Sequence, residues 1–250
     1  MTGYQDNVQW SLSLAKKFHD ENLTEIYDPK NDIKYQMMKP WDIQQAAEIM
    51  SQAYSQDNMF FKLMGVSKAD YLPSALLSYK QAMEDNMGMV AKTRDGVLVG
   101  ASGAYLVDTA IAEVKVNLEE YYGKKVAPIM DMSRILFQNF SVKDYDDPSR
   151  IIYIDDTCAL SQYRGKGISL MLSLLLQSIC QRRSFTHVCS IAYHPALARN
   201  VEHMPGWKKI SSVNVNNYSY RNEKIFAPLY NQGYRDVTLF IKKFIPRYPN

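Results

Sequence analysis

Residues 163–169 read YRGKGIS, with two glycines, two cations and a serine hydroxyl in seven positions. Before them stands RIIYIDDTCAL, residues 150–160, whose β-branched and aromatic side chains suit a strand, with Asp155 and Asp156 unexpected in its middle. After them the apolar run ISLMLSLLLQSIC, residues 168–180, predicts a buried helix. A glycine turn therefore joins a strand to the first turn of a helix. Successive N–H groups and the positive end of the helix dipole converge there, a geometry suited to a pyrophosphate. Gly165 and Gly167 allow close approach of the backbone to a ligand, and Arg164 and Lys166 add positive charge. A plain strand-to-helix turn is the alternative.

Spacing excludes two other phosphate motifs. A Walker A loop needs Gly-Lys followed by Ser or Thr, whereas Lys166 precedes Gly167 here. A dinucleotide fingerprint needs glycine at position 170, which is Leu170.

The 250 residues are 46% hydrophobic and 22% charged, enough to build a sizeable core. Their net charge of +3 is too small to argue for a nucleic-acid partner, and the basic pairs are scattered. Cys158, Cys180 and Cys189 have neither metal-ligand spacing nor the numbers of a disulfide scaffold, so a reducing, cytoplasmic setting is expected. The N-terminus lacks the basic-then-apolar order of a secretory leader. Residues 168–180 fall short of the roughly 20 apolar residues that a membrane span needs.

Outward from the turn, the chain alternates strands and helices. Val8, Leu12, Ala15 and Phe18 predict an N-terminal helix, followed by a connection at DPKNDIK, so residues 1–32 read as an extension. A main domain over 33–250 follows. It opens with a strand from Ile33 to about Pro40 and a helix capped by Asp42, and then a second helix started by Pro73. Asp95-Gly96 predicts a hairpin, and residues 108–142 predict two inserted helices broken at YGKKVAP. THVCSIAY is the next strand, PALARNVEHM a short helix and PGW a turn, and two strands close the chain.

Taken with this element order, Arg164-x-x-Gly167-x-Ser169 resembles the Arg/Gln-x-x-Gly-x-Gly/Ala signature of the GNAT superfamily of N-acetyltransferases, with Ser169 at the last position. The resemblance covers about residues 33–245 and is closest to the arylalkylamine type of invertebrates. It implies an α/β fold, a mixed central sheet with helices on both faces and a splayed V between the fourth and fifth strands. It also implies acetyl-CoA as co-substrate, with its pyrophosphate on Arg164, Gly165, Lys166, Gly167, Ile168 and Ser169, and its pantetheine along Ala159 and Leu160. The acceptor implied is a small primary amine, and no metal is called for.

Direct acetyl transfer needs a base for the amine and a donor for the departing sulfur. Several members of the superfamily carry the base nine or eleven residues before the signature Arg, at Asp155 or Tyr153 here. Asp155 is the first choice, with a structural carboxylate as the alternative. Asp57 is second, as ammonium anchor or base, or else a helix or turn cap. The catalytic Glu of the arylalkylamine enzymes falls on Asn58, and the usual acid, a Tyr, falls on Glu202. His194 is the candidate proton donor in its place. Those two departures keep open a catalytically inactive CoA-binding or structural module. DYDDPSR resembles a calcium loop at Asp144 and Asp146, but Pro148 and Ser149 occupy positions that the loop needs for a ligand and a glycine.

Overall fold

The computed structural model describes residues 2–145 and 147–244. In chain order its elements are α1 (Thr2–Asp20), β1 (Glu25–Asp28), β2 (Ile33–Met37), α2 (Ile43–Asp57), α3 (Met59–Leu63) and α4 (Lys68–Glu84). Then come β3 (Gly88–Thr93), β4 (Leu98–Leu106), α5 (Val107–Glu113), α6 (Leu118–Gln138), β5 (Ile151–Ala159) and α7 (Ile168–Arg182). β6 (His187–Ala192), α8 (Pro195–His203), β7 (Trp207–Asn214), α9 (Ala227–Tyr230) and β8 (Asp236–Lys243) complete the chain. The strands follow the order β1-β2-β3-β4-β5-β6-β8-β7 in one mixed sheet.

The chain divides into two units, and β5 passes from one to the other. The first comprises the chain up to Tyr54, Tyr71–Tyr105 and Ile154–Ser184. In it β1 to β4 pair antiparallel in sequence, with the expected hairpin closing at Asp95-Gly96. β1 was not expected. It is four residues long, and Asp28 closes its turn to β2 by accepting from the Lys30 N–H at 2.9 Å. The fourth and fifth strands of the sequence reading are therefore β5 and β6.

Helix α1 packs against α7 within the first unit. Ala15 and Phe18 are buried, as the apolar spacing predicted, whereas Leu12 is 39% exposed and Ser11 takes the buried place beside it. Helix α7 is buried along most of its length, as its predominantly apolar sequence requires. Two helix starts differ from expectation. The Asp42 carboxylate reaches back to the Lys39 N–H at 3.0 Å and to Lys92 at 2.6 Å instead of capping α2. Helix α4 begins before Pro73, at a capping box in which Ser67 and Asp70 each accept from the other's N–H, at 3.2 and 2.8 Å.

The second unit holds Ser55–Asp70, Leu106–Tyr153 and the chain from Phe185. Here β6 pairs antiparallel with β8, and β8 with β7. The start of β5 pairs parallel with β6 over three positions, Ile151 to Tyr153 against His187 to Cys189, after which β5 belongs to the first unit. Helix α6 is kinked at Gly123, whose φ of 77° fits the break expected there.

All three cysteines are buried and unpaired with one another. Among the described residues no cluster of metal-ligating side chains exists, and no helix is long and apolar enough to cross a membrane. Asp146, of the rejected calcium loop, lies outside the described residues.

Candidate functional site

The glycine turn lies in the first unit. A single 3-10 turn, Ser161–Tyr163, follows β5, and its N–H groups are consumed locally: Tyr163 donates to the Leu160 carbonyl at 2.9 Å and Arg164 to the Ser161 carbonyl at 3.1 Å. Gly165 and Gly167 then take φ of 77° and 73°, and α7 begins at Ile168. The glycines are required by this left-handed backbone, since a Cβ at Gly165 would meet nothing within 4 Å and one at Gly167 only Ser11 Oγ at 3.5 Å. The N–H groups of Gly165, Lys166 and Gly167 donate to no described backbone carbonyl. Those of Ile168 and Ser169 belong to the first turn of α7, where no intrahelical acceptor exists.

No acidic side chain occupies that first turn, and Lys166 Nζ lies 5.2 Å from the Tyr163 ring centroid. Donors, positive charge and open space at Gly165 match the chemistry of a pyrophosphate. The backbone N–H of Arg164 does not join this set, because Ser161 already holds it; the side chain of Arg164 is exposed.

The pantetheine assignment also narrows. The Leu160 N–H donates to the Val99 carbonyl of β4 at 2.9 Å, and the Leu160 carbonyl accepts from Tyr163. Leu160 thus spends its backbone groups on β4 and on the 3-10 turn. Because N–H and C=O alternate in direction along a strand, Ala159 presents its own on the opposite edge of β5.

Two adjacent carboxylates on β5 have different surroundings. Asp155 is half-buried and accepts from the Tyr105 hydroxyl of β4 at 3.2 Å, while Thr157, two residues on, lies 2.6 Å from Ser102 Oγ. Asp156 is buried, with a φ of 54° inside the strand, and accepts from the Tyr71 hydroxyl at 3.4 Å. Tyr79 donates to its backbone carbonyl at 2.5 Å and lies 3.6 Å from Cys158 Sγ. Sequence reasoning placed the useful burial at Asp155; the deeply buried member of the pair is Asp156. Burial pushes the Cys158 thiol up to about 12, so it is no nucleophile at neutral pH. Tyr153, at the eleven-residue position, packs its ring edge-on to Phe137 at 5.5 Å in the second unit.

The remaining candidates lie in the second unit. Asn58 is the N-cap of α3, its Oδ1 accepting from the N–H groups of Phe60 at 3.0 Å and Phe61 at 3.4 Å. Asp57 immediately precedes it as the last residue of α2. His194 is the N-cap of α8: its Nδ1 accepts from the Ala196 N–H at 3.1 Å, so its ring N–H is on Nε2. Glu202 is exposed on α8.

Tyr193, next to His194, was missed by the sequence reading. Its hydroxyl lies 2.5 Å from Ser133 Oγ and 3.2 Å from the Ile129 carbonyl, and its ring meets buried Phe60, which also touches Phe226 and Tyr234. A tyrosine at the end of an apolar strand was the available signal. Tyr105 was missed because its partner is separated from it by 50 residues.

No protein-family model matches the sequence, and no curated protein matches it. Solved structures do. Arylalkylamine N-acetyltransferase 2 from Aedes aegypti matches with a TM-score of 0.71 at 19% identity, over 85% of this chain and 99% of that one. A Drosophila melanogaster polyamine N-acetyltransferase that forms N-acetylagmatine matches at 0.66 and 15% identity, over 85% and 100% of the two chains. The chain has the GNAT N-acetyltransferase fold.

At these identities the likeness is one of fold. Another structure with a similar fold, the C-terminal condensation domain of Ebony in complex with beta-alanyl-dopamine, matches with a TM-score of 0.68 at 12% identity, over 85% of this chain and 99% of that one. Within the GNAT fold the turn after β5 holds Gly165 and Gly167 in the orientation described above.

Proposed function

We propose that this chain is an acyl-CoA-dependent N-acetyltransferase that acetylates a small primary amine, of the arylalkylamine class, by direct transfer. The observation that carries the proposal is the turn at Gly165 to Ser169, with positive φ at two glycines, whose consecutive N–H groups have no backbone acceptor among the described residues at the start of α7. Acetyl-CoA supplies an activated acyl thioester. The N–H groups of Gly165 to Ser169, with the Arg164 and Lys166 side chains, would hold its pyrophosphate, and Ala159 would offer backbone partners to its pantetheine arm.

Asp155 is proposed as the base, taking a proton from the acceptor ammonium directly or through one water. The Tyr105 hydroxyl fixes the orientation of that carboxylate. Asp57 is proposed as a second carboxylate for the ammonium, and His194 as hydrogen-bond donor to the departing sulfur through Nε2. Cys158 takes no part, since its thiol is buried and protonated. A small amine is favoured because relatives in fold include enzymes named for arylalkylamines and polyamines.

A second reading is favoured by Asn58, whose carboxamide is committed to capping α3 at the position where the resemblance puts the catalytic Glu. It is a CoA-binding module without turnover. Calorimetry with acetyl-CoA followed by a thiol-release assay over a panel of amines decides between the two. Binding with release supports the enzyme, binding without release supports the module, and no binding refutes both.

A further inference from the structure

The N-terminal segment, outside the region of family resemblance, holds the glycine turn by its carbonyls. Asn7 of α1 donates from Nδ2 to the Gly165 carbonyl at 2.9 Å. Lys30 Nζ, 2.6 Å from Asn7 Oδ1, fixes which end of that carboxamide faces the turn. Asn31, in the β1–β2 turn, donates from Nδ2 to the Lys166 carbonyl at 3.1 Å and to Asp28 Oδ2 at 2.7 Å. Asp28 is buried and also accepts from Trp10 Nε1 of α1 at 2.9 Å. Two independent pieces of chain, α1 and the first hairpin turn, are thus joined through one carboxylate and end on adjacent carbonyls.

A trans peptide points its C=O and the following N–H in opposite directions within one plane, and no cis peptide is present among the described residues. Holding the Gly165 carbonyl toward Asn7 therefore turns the Lys166 N–H away from α1. Holding the Lys166 carbonyl toward Asn31 does the same for the Gly167 N–H. At positive φ both glycines have wide backbone freedom, so without these two anchors the peptide planes could rotate and the donors would scatter.

We infer that Asn7 and Asn31 are positioning residues that preset two backbone donors for the pyrophosphate, making the N-terminal segment part of the CoA-binding device. The inference rests on the proposed CoA reading. Neither side chain touches the ligand. Each acts by fixing a peptide plane, so that ordering the turn is not charged against binding.

The test is calorimetry on the full chain with CoA and, separately, with pantetheine, which lacks the pyrophosphate. In Asn7→Ala and in Asn31→Ala the Kd for CoA should rise about 10-fold, as expected for losing one oriented hydrogen bond to a charged group, with the Kd for pantetheine unchanged. Asn7→Ala carries the weight if Asn31→Ala folds poorly, because Asn7 is only half-buried on α1 and alanine favours the helix. Wild type that binds CoA while Asn7→Ala binds it equally well overturns the inference and leaves the CoA reading standing. Equal losses for CoA and pantetheine also overturn it, since they would report general damage. Wild type that binds no CoA refutes the reading itself.

Discussion

The Tyr105 hydroxyl donates to Asp155 Oδ2 across 3.2 Å, joining neighbouring strands β4 and β5 of the first unit. Tyr105 is 2% exposed, so the bond orients the carboxylate from a fixed support. If Asp155 is the base, Asp155→Asn should lower kcat by about 10²- to 10⁴-fold with the Kd for CoA unchanged. Tyr105→Phe should lower kcat less, by about 10-fold. A wild-type pH–rate profile in Asp155→Asn would remove Asp155 from the chemistry.

Replacing Gly167 with valine forces a β-branched residue to φ near 73° and brings its side chain toward Ser11 Oγ. The turn should distort, raising the Kd for CoA at least about 10-fold by calorimetry. Gly165→Ala tests the backbone alone, because its Cβ enters open space; it should cost about 1 kcal/mol of stability in urea denaturation. An unchanged CoA affinity in Gly167→Val would displace the pyrophosphate from this turn.

Asn58 and His194 both cap helices, and substitutions separate that role from chemistry. Asn58→Ala should destabilise the chain by about 1 kcal/mol in urea titration, whereas Asn58→Asp keeps the cap and should not. His194→Asn likewise preserves an N-cap while removing the ring. If His194 donates to the departing sulfur, kcat falls about 10-fold or more in this variant; unchanged turnover would leave it only a cap.

Alkaline pH should unfold this protein early. Burial pushes the Cys158 thiol up to about 12, and it pushes Tyr79 upward too, with Cys158 and Asp156 adding to the shift. Between roughly pH 9 and pH 12 the native state holds protons that the unfolded chain has released, so stability falls as pH rises. The slope approaches about 1.4 kcal/mol per pH unit for each such group. Urea midpoints measured from about pH 8 to pH 11 should fall, and fall less steeply in Cys158→Ala; parallel curves would contradict the assignment.

The sequence by itself determined the alternation of the longer helices and strands, the hairpin at Asp95-Gly96, the strand into RGKG and the helix after it. Each is a local matter, written in apolar periodicity and in the backbone freedom of glycine. The break in α6 was legible for the same reason. Strand β1 was not, because four residues closed by a polar turn carry too little pattern, and neither was the start of α4 at Ser67, where Pro73 misdirected the reading.

Only the tertiary structure decided what the polar residues do. The capping roles of Asn58 and His194 show only where their side chains meet the N–H groups of Phe60 and Ala196. Asp155 and Asp156 are adjacent identical residues, and their division into a half-buried and a sealed carboxylate depends on Tyr105, Tyr71 and Tyr79, which lie 50 to 85 positions away. The same holds for Asn7 and Asn31, whose partners in the turn are 158 and 135 positions distant. Such pairings arise when strands and helices pack, and no short-range pattern records which donor will meet which acceptor.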